Sequence, residues 1–198
     1  MKRIAITGNI GSGKSWVSGL FEKRLNIPVF YSDAEAKRLY LFPQIKAAMK
    51  TRFGAEVYFR NGRLNRKRLS ELIFNDRQAM RDVENLLYPA LNAYFAQWTE
   101  NQNAPYVLYE SAIILEKHLE SLFDGVIMVT ASEETRLRRV MLRDHCDEAA
   151  VRQRMAKQWP ESEKVARADF VIYHDTDDDD ETLWNQVLRV HEKLCSPN

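Results

Sequence analysis

One segment near the start constrains this chain more than any other. The apolar run Arg3-Ile4-Ala5-Ile6-Thr7 leads into Gly8-Asn9-Ile10-Gly11-Ser12-Gly13-Lys14-Ser15, after which Val17, Leu20 and Phe21 recur at helical spacing. A short apolar run bounded by glycine reads as a buried parallel strand, and the periodicity after Ser15 reads as a helix. The loop therefore lies at the carboxyl end of a strand, where ligands of open α/β sheets bind. Its spacing is GxxxxGK[ST], with Gly8, Gly13, Lys14 and Ser15 at the defining places. Such a loop turns backbone amides inward around phosphate oxygens and adds the partial positive charge of a helix N-terminus. Lys14 then reaches the β and γ phosphates, and the Ser15 hydroxyl can ligate Mg²⁺. A fortuitous glycine turn would need neither the lysine nor the hydroxyl. Trp16 follows directly and packs either on a bound nucleotide or on the sheet.

Further apolar runs at residues 28–32, 106–109, 125–130 and 169–173 read as strands, and helical patterns separate them. The alternation predicts an α/β chain with a mainly parallel five-stranded sheet covered by helices on both faces, a three-layer α/β/α arrangement. At 198 residues the expectation is a single domain carrying insertions. Two charged regions poor in strand signals interrupt the pattern. Residues 34–102 are mostly helical by pattern, with a turn at Asn61-Gly62 that could join a small hairpin. Residues 133–164 hold the densest arginine cluster: Arg136, Arg138, Arg139, Arg143, Arg152 and Arg154. An acidic run at residues 177–181 precedes a closing amphipathic helix that ends near Leu194.

Composition removes several function classes. Lysine and arginine total 29 against 28 acidic residues, so there is no bulk attraction to nucleic acid or to an anionic membrane. Cys146 and Cys195 lack CxxC spacing and nearby histidines, which argues against a zinc site or a disulfide framework. The apolar run after Lys2 and Arg3 is too short for a signal-peptide core or a membrane span. A reduced, cytoplasmic setting is the expectation.

A phosphate loop alone leaves GTPases, motor ATPases and small-molecule kinases open. No NKxD or TKxD guanine-reading tetrapeptide occurs, which favours ATP. Asp33 closes the run Val29-Phe30-Tyr31-Ser32-Asp33, which predicts a carboxylate at the edge of a strand adjacent to the loop strand. There it could accept the proton of an attacking hydroxyl, or simply cap a helix starting near Ala34. Glu110 follows Tyr106-Val107-Leu108-Tyr109 and is either a ligand for Mg²⁺ or its water shell, or a solvated glutamate. Arg136, Arg139 and Arg143 share one face of a predicted helix. That face either folds over ATP, stabilising charge on the transferring phosphoryl group and excluding water, or is a solvated surface paired with Glu133 and Glu134.

The ordered set of motifs resembles the dephospho-CoA kinase family over nearly the whole chain. It extends from the segment Ile6 through Ser15 to Ser32-Asp33-Ala34, Phe53-Gly54 and Asn61-Gly62-Arg63-Leu64. It continues through Ile113-Ile114-Leu115-Glu116, Phe123-Asp124 and Arg139-Val140-Met141-Leu142-Arg143-Asp144, then residues 154–158, Glu163-Lys164 and Ala168-Asp169-Phe170-Val171-Ile172. The resemblance implies a nucleoside-monophosphate-kinase-like core with residues 34–102 as the acceptor region and residues 133–164 as a lid. It implies ATP and Mg²⁺ as co-substrate and metal and 3′-dephospho-CoA as acceptor, in a monomer or small homo-oligomer. By the same resemblance Asp33 is the base, Arg139 and Arg143 are lid arginines, and Lys14 and Ser15 hold phosphate and magnesium. The chain departs from the family at Trp16, where threonine is usual, at Tyr88-Pro89 for His-Pro, at Glu110 for aspartate, and at His174-Asp175-Thr176, where an asparagine-containing turn ending in glycine is usual.

Overall fold

In the computed structural model, residues 1–74, 76–175 and 181–196 are described. In chain order the strands and α-helices are β1 (Lys2–Thr7), α1 (Lys14–Leu25), β2 (Val29–Tyr31), α2 (Ser32–Leu39), α3 (Pro43–Phe53), α4 (Arg66–Phe74) and α5 (Arg77–Glu100). They continue with β3 (Tyr106–Glu110), β4 (Gly125–Thr130), α6 (Glu133–Asp144), α7 (Glu148–Met155), α8 (Glu161–Arg167), β5 (Phe170–Tyr173) and α9 (Glu181–Cys195). The chain divides into two compact units, Met1–Tyr31 with Gln102–Asn198, and Ser32–Asn101.

In the first unit all five strands pair in parallel, in the order β2-β3-β1-β4-β5. Alternate side chains of a strand point to opposite faces. One face carries Ile4, Ile6, Tyr106, Leu108, Ile127, Val129 and Ile172, and it buries them under Val17, Leu20 and Phe21 of α1 and Leu183, Val187, Val190 and Leu194 of α9. The other face carries Ala5, Val107, Tyr109, Val126 and Met128, all buried, with the Phe123 ring 5.1 Å from that of Tyr109. Both faces are dry, which is why the strands read as continuous apolar runs rather than as alternating ones. β1 lies at the centre, so its carboxyl end delivers the glycine loop between the ends of β3 and β4.

The sheet order corrects one expectation. β2 is not adjacent to β1, because β3 lies between them and makes both pairings. The carboxylate beside the loop strand is accordingly Glu110, the last residue of β3. Asp33 does not close a strand either. β2 ends at Tyr31, and Asp33 stands in the first turn of α2 with its carboxylate exposed.

The second unit is helical, with a core of Ile45, Met49, Phe53, Val57, Tyr58, Leu69, Ala79 and Val83. The 24-residue α5 is started by Asp76, whose Oδ1 accepts from the amides of Gln78 at 2.8 Å and Ala79 at 3.0 Å. Asn61-Gly62 does form a turn, with Gly62 at φ 79° and its amide donating to Phe59 at 2.9 Å. The expected hairpin is reduced to one antiparallel bridge between Tyr58 and Leu64. Of the acidic run, Glu181 opens α9 and residues 177–180 lie outside the described residues.

Candidate active site

The loop after β1 is bent by glycines at the positions where no side chain fits. Gly13 caps α1 in the left-handed region at φ 82°, and a Cβ there would strike the His174 ring. Gly11 has φ 80°, and a Cβ on it would lie 2.5 Å from the Arg136 carbonyl oxygen. No acidic residue occupies the first turn of α1, and the Glu110 carboxylate beside it is engaged by the Lys14 and Ser15 side chains. That leaves a helix N-terminus built to hold an anion.

Three loop-side polar groups converge at the carboxyl ends of β1 and β3. The Lys14 ammonium forms an ion pair with Glu110 Oε1, and both side chains are about one-tenth exposed, at 11% and 10%. Ser15 Oγ donates to the same carboxylate oxygen at 3.5 Å. Glu110 is thus a buried, paired carboxylate, which overturns the solvated alternative. Among the described residues no group of three or more His, Cys, Asp or Glu side chains gathers anywhere. A serine hydroxyl beside one carboxylate suits Mg²⁺, which favours oxygen donors and commonly takes one or two carboxylates, with substrate phosphates and water completing its shell.

Residues of the 133–164 region grip the loop from the other side. Arg139 Nη1 donates to the carbonyl oxygens of Gly11 at 3.4 Å and His174 at 2.9 Å. Arg136 is buried, donating from Nε to Ala131 O at 3.1 Å and pairing with Glu161 at 2.9 Å. Gln158 Oε1 accepts from the Ile10 amide at 2.8 Å, and Asn9 Nδ2 donates to the Trp159 carbonyl at 3.3 Å. Beside these contacts opens a cavity of about 880 Å³ whose walls include Asn9, Ser132, Arg136, Gln158, Glu161 and Asp175. Burial pushes the Glu161 carboxyl up, opposed by the Arg136 charge. The Ser132 amide, 2.7 Å from Asp175 Oδ1, holds that carboxyl below its ordinary value.

Of the residues anticipated for the site, Gly8, Asn9, Ile10, Gly11, Ser12, Gly13, Lys14, Ser15, Glu110 and Arg139 are brought together here. Arg143 is not. Its guanidinium turns to the neighbouring Asp144 in a bidentate pair at 2.8 and 3.1 Å, and Arg154 binds the same carboxylate at 2.5 Å. Trp16 is 52% exposed, which excludes packing on the sheet. Asp33 belongs to the second unit. Of the departures, Tyr88 lies within α5 with its hydroxyl 3.4 Å from Glu84, and Thr176 lies outside the described residues. Glu161 carries no signal in the sequence, and the partners of Gln158 and His174 were not legible because each contact joins distant parts of the chain.

A profile of the dephospho-CoA kinase family matches residues 2–180. A curated dephospho-CoA kinase of Syntrophotalea carbinolica is 37% identical over 197 residues, covering 96% of this chain and 91% of its own. A solved structure from Thermus thermophilus is 30% identical with a TM-score of 0.81, over 98% of this chain and 95% of that one. A dephospho-CoA kinase structure from Campylobacter jejuni, 22% identical, shares the fold with a TM-score of 0.69 over 98% of this chain and 96% of that one. With the family profile spanning the loop, the sheet and the arginine-rich helices alike, this chain belongs to the dephospho-CoA kinase family.

Proposed function

We propose that this chain transfers the γ-phosphoryl group of ATP to the ribose 3′-hydroxyl of 3′-dephospho-CoA, giving CoA and ADP. The observation that carries the reading is the Lys14–Glu110 pair under an anion-ready helix N-terminus, in a chain of this family. The loop from Gly8 to Trp16 takes the phosphates through its amides other than that of Ile10, which is bonded to Gln158. Lys14 exchanges Glu110 for the β and γ phosphate oxygens, where it meets negative charge on both sides of the bond that breaks. Ser15 and Glu110 would hold Mg²⁺, which supplies charge neutralisation to the bridging phosphates.

Asp33 receives the proton of the 3′-hydroxyl as that oxygen attacks the γ phosphorus in line, and ADP departs with the electron pair of the broken bond. Arg139, already at the loop, and Arg143, once released from Asp144, balance charge on the transferring group. Residues 133–164 act as the lid that excludes water. Residues 34–102 take the acceptor. Within them a cavity of about 1050 Å³ presents Tyr40, Leu41 and Phe59 together with Lys37, Arg63 and Lys67, a mixture suited to a long apolar-amide arm bearing phosphates. Among the described residues no helix is long and apolar enough to cross a membrane. A cytoplasmic monomer or small homo-oligomer with no nucleic-acid partner fits this reading. Purified protein given Mg²⁺, ATP and dephospho-CoA should yield CoA and ADP in equal amounts, and ADP without CoA would overturn the assignment.

A further inference from the structure

The turn between α7 and α8 holds the glycine loop in a way the transfer chemistry does not require. Gln158 follows α7 in a tight turn, its own amide bonded to Met155 O at 3.0 Å. The next residue is fixed on two sides, with the Trp159 ring 5.3 Å from that of His118 and under the Arg167 guanidinium at 5.1 Å. Behind it, Lys164 of α8 is fully buried, paired with Glu116 and donating to Ala112 O at 3.4 Å. The turn is therefore the anchored partner, and the loop is what it anchors.

We propose that Gln158 is a positioning residue for nucleotide binding, its Oε1 holding the Ile10 amide so that the phosphate loop keeps the curvature a polyphosphate needs. The contact reaches the chain just before Gly11, whose backbone is left-handed at φ 80°. An amide bonded to Gln158 is occupied and does not serve the anion. What Gln158 contributes is the shape of the loop, with the Asn9–Trp159 bond as a second tie. Pre-organisation of this kind lowers the ordering cost of binding rather than the barrier to transfer.

The inference rests on the proposed nucleotide site, and Gln158→Met tests it, because methionine keeps the length and removes the acceptor. One neutral hydrogen bond predicts that affinity for Mg²⁺-ATP and for inorganic tripolyphosphate falls equally, by roughly five-fold. KM for ATP should rise in step while kcat and KM for dephospho-CoA stay at wild-type values, and the denaturation midpoint falls only by the small amount one hydrogen bond carries. Gln158 also lines the 880 Å³ cavity, so loss of ATP affinity with tripolyphosphate binding intact would make it a nucleoside contact and overturn the proposal. Unchanged affinity for both would overturn it too, as would a fall in every parameter together with the midpoint. If the wild-type protein bound neither ligand, the nucleotide site itself would fail and take the inference with it.

Discussion

Lys14 does two jobs that can be separated. Its ammonium neutralises Glu110, and the two side chains are only 11% and 10% exposed. Lys14→Met therefore leaves a carboxylate in a site that water barely reaches. Breaking a buried pair by removing one partner costs about 3–5 kcal/mol, and the slight exposure places this case near the lower figure, about 3 kcal/mol. For a chain of this size that lowers the thermal midpoint by roughly 6–12 °C. Glu110→Gln should cost less, because the flexible lysine stem can carry its charge toward solvent. In the double variant no charge is stranded, so stability should return to within about 1 kcal/mol of wild type, a coupling of about 2 kcal/mol in a double-mutant cycle. Urea denaturation of the four proteins measures this. Phosphotransfer should be lost in Lys14→Met and stay lost in the double variant, since a stable loop without its lysine still lacks the charge the phosphates need. A Lys14→Met cost below about 0.5 kcal/mol, or strictly additive effects, would refute the claim that the pair is a compensated buried charge.

Asp33→Asn should keep ATP affinity and reduce turnover by on the order of a hundredfold, and near-normal turnover would remove it as the base. Arg139→Ala should raise KM for ATP as well as lower kcat, since its contacts to Gly11 and His174 exist before substrate arrives; a change in kcat alone would contradict that. Arg143→Ala should lower kcat with KM for ATP preserved, because its partner in the free protein is Asp144, and unchanged kcat would leave it a surface ion pair. The fourth prediction concerns pH. Burial holds the His191 imidazole, 2.8 Å from the Tyr106 hydroxyl, below its ordinary 6.5, with Glu192 acting weakly in the other direction. The unfolded chain then binds the proton first, so stability should fall as pH drops below 6.5 and level off once the folded ring is also charged. Urea midpoints across that range should show the slope in wild type and lose it in His191→Gln.

The strands and the loop were legible because each is a local statement. A run buried on both faces must be apolar throughout, and Gly125–Thr130 is found with the boundaries its composition suggests. The loop's glycines, lysine and hydroxyl fall at a fixed spacing within one short segment, so their order in sequence is enough. Neighbour relations were not legible. Periodicity says that residues 28–32 are buried but is silent on which strand lies beside them, and β3 rather than β2 turned out to flank β1. Asp33 misled because a carboxylate after an apolar run suits a strand edge and a helix start equally, and the helix begins one residue before it. Helical spacing put Arg143 with Arg139, yet a carboxylate at the next position captured its guanidinium. Gln158 closes a stretch that carries the family resemblance, but its partner was not legible, since Ile10 lies 148 residues away.

The central place of β1 also sets a timetable. Its residues Ile4 and Ile6 lie in register with Leu108 and Glu110 on one side and with Gly125 and Ile127 on the other. Both neighbours emerge from the ribosome more than about a hundred residues later. β1, made before both neighbours, must therefore wait, and the loop hanging from it has no fixed strand end until β4 has been made. Such distant pairing makes for slow folding, because long loops close before their contacts reward them. Between the making of β1 and of β4 the nascent chain carries the glycine loop without the strand ends that would fix it.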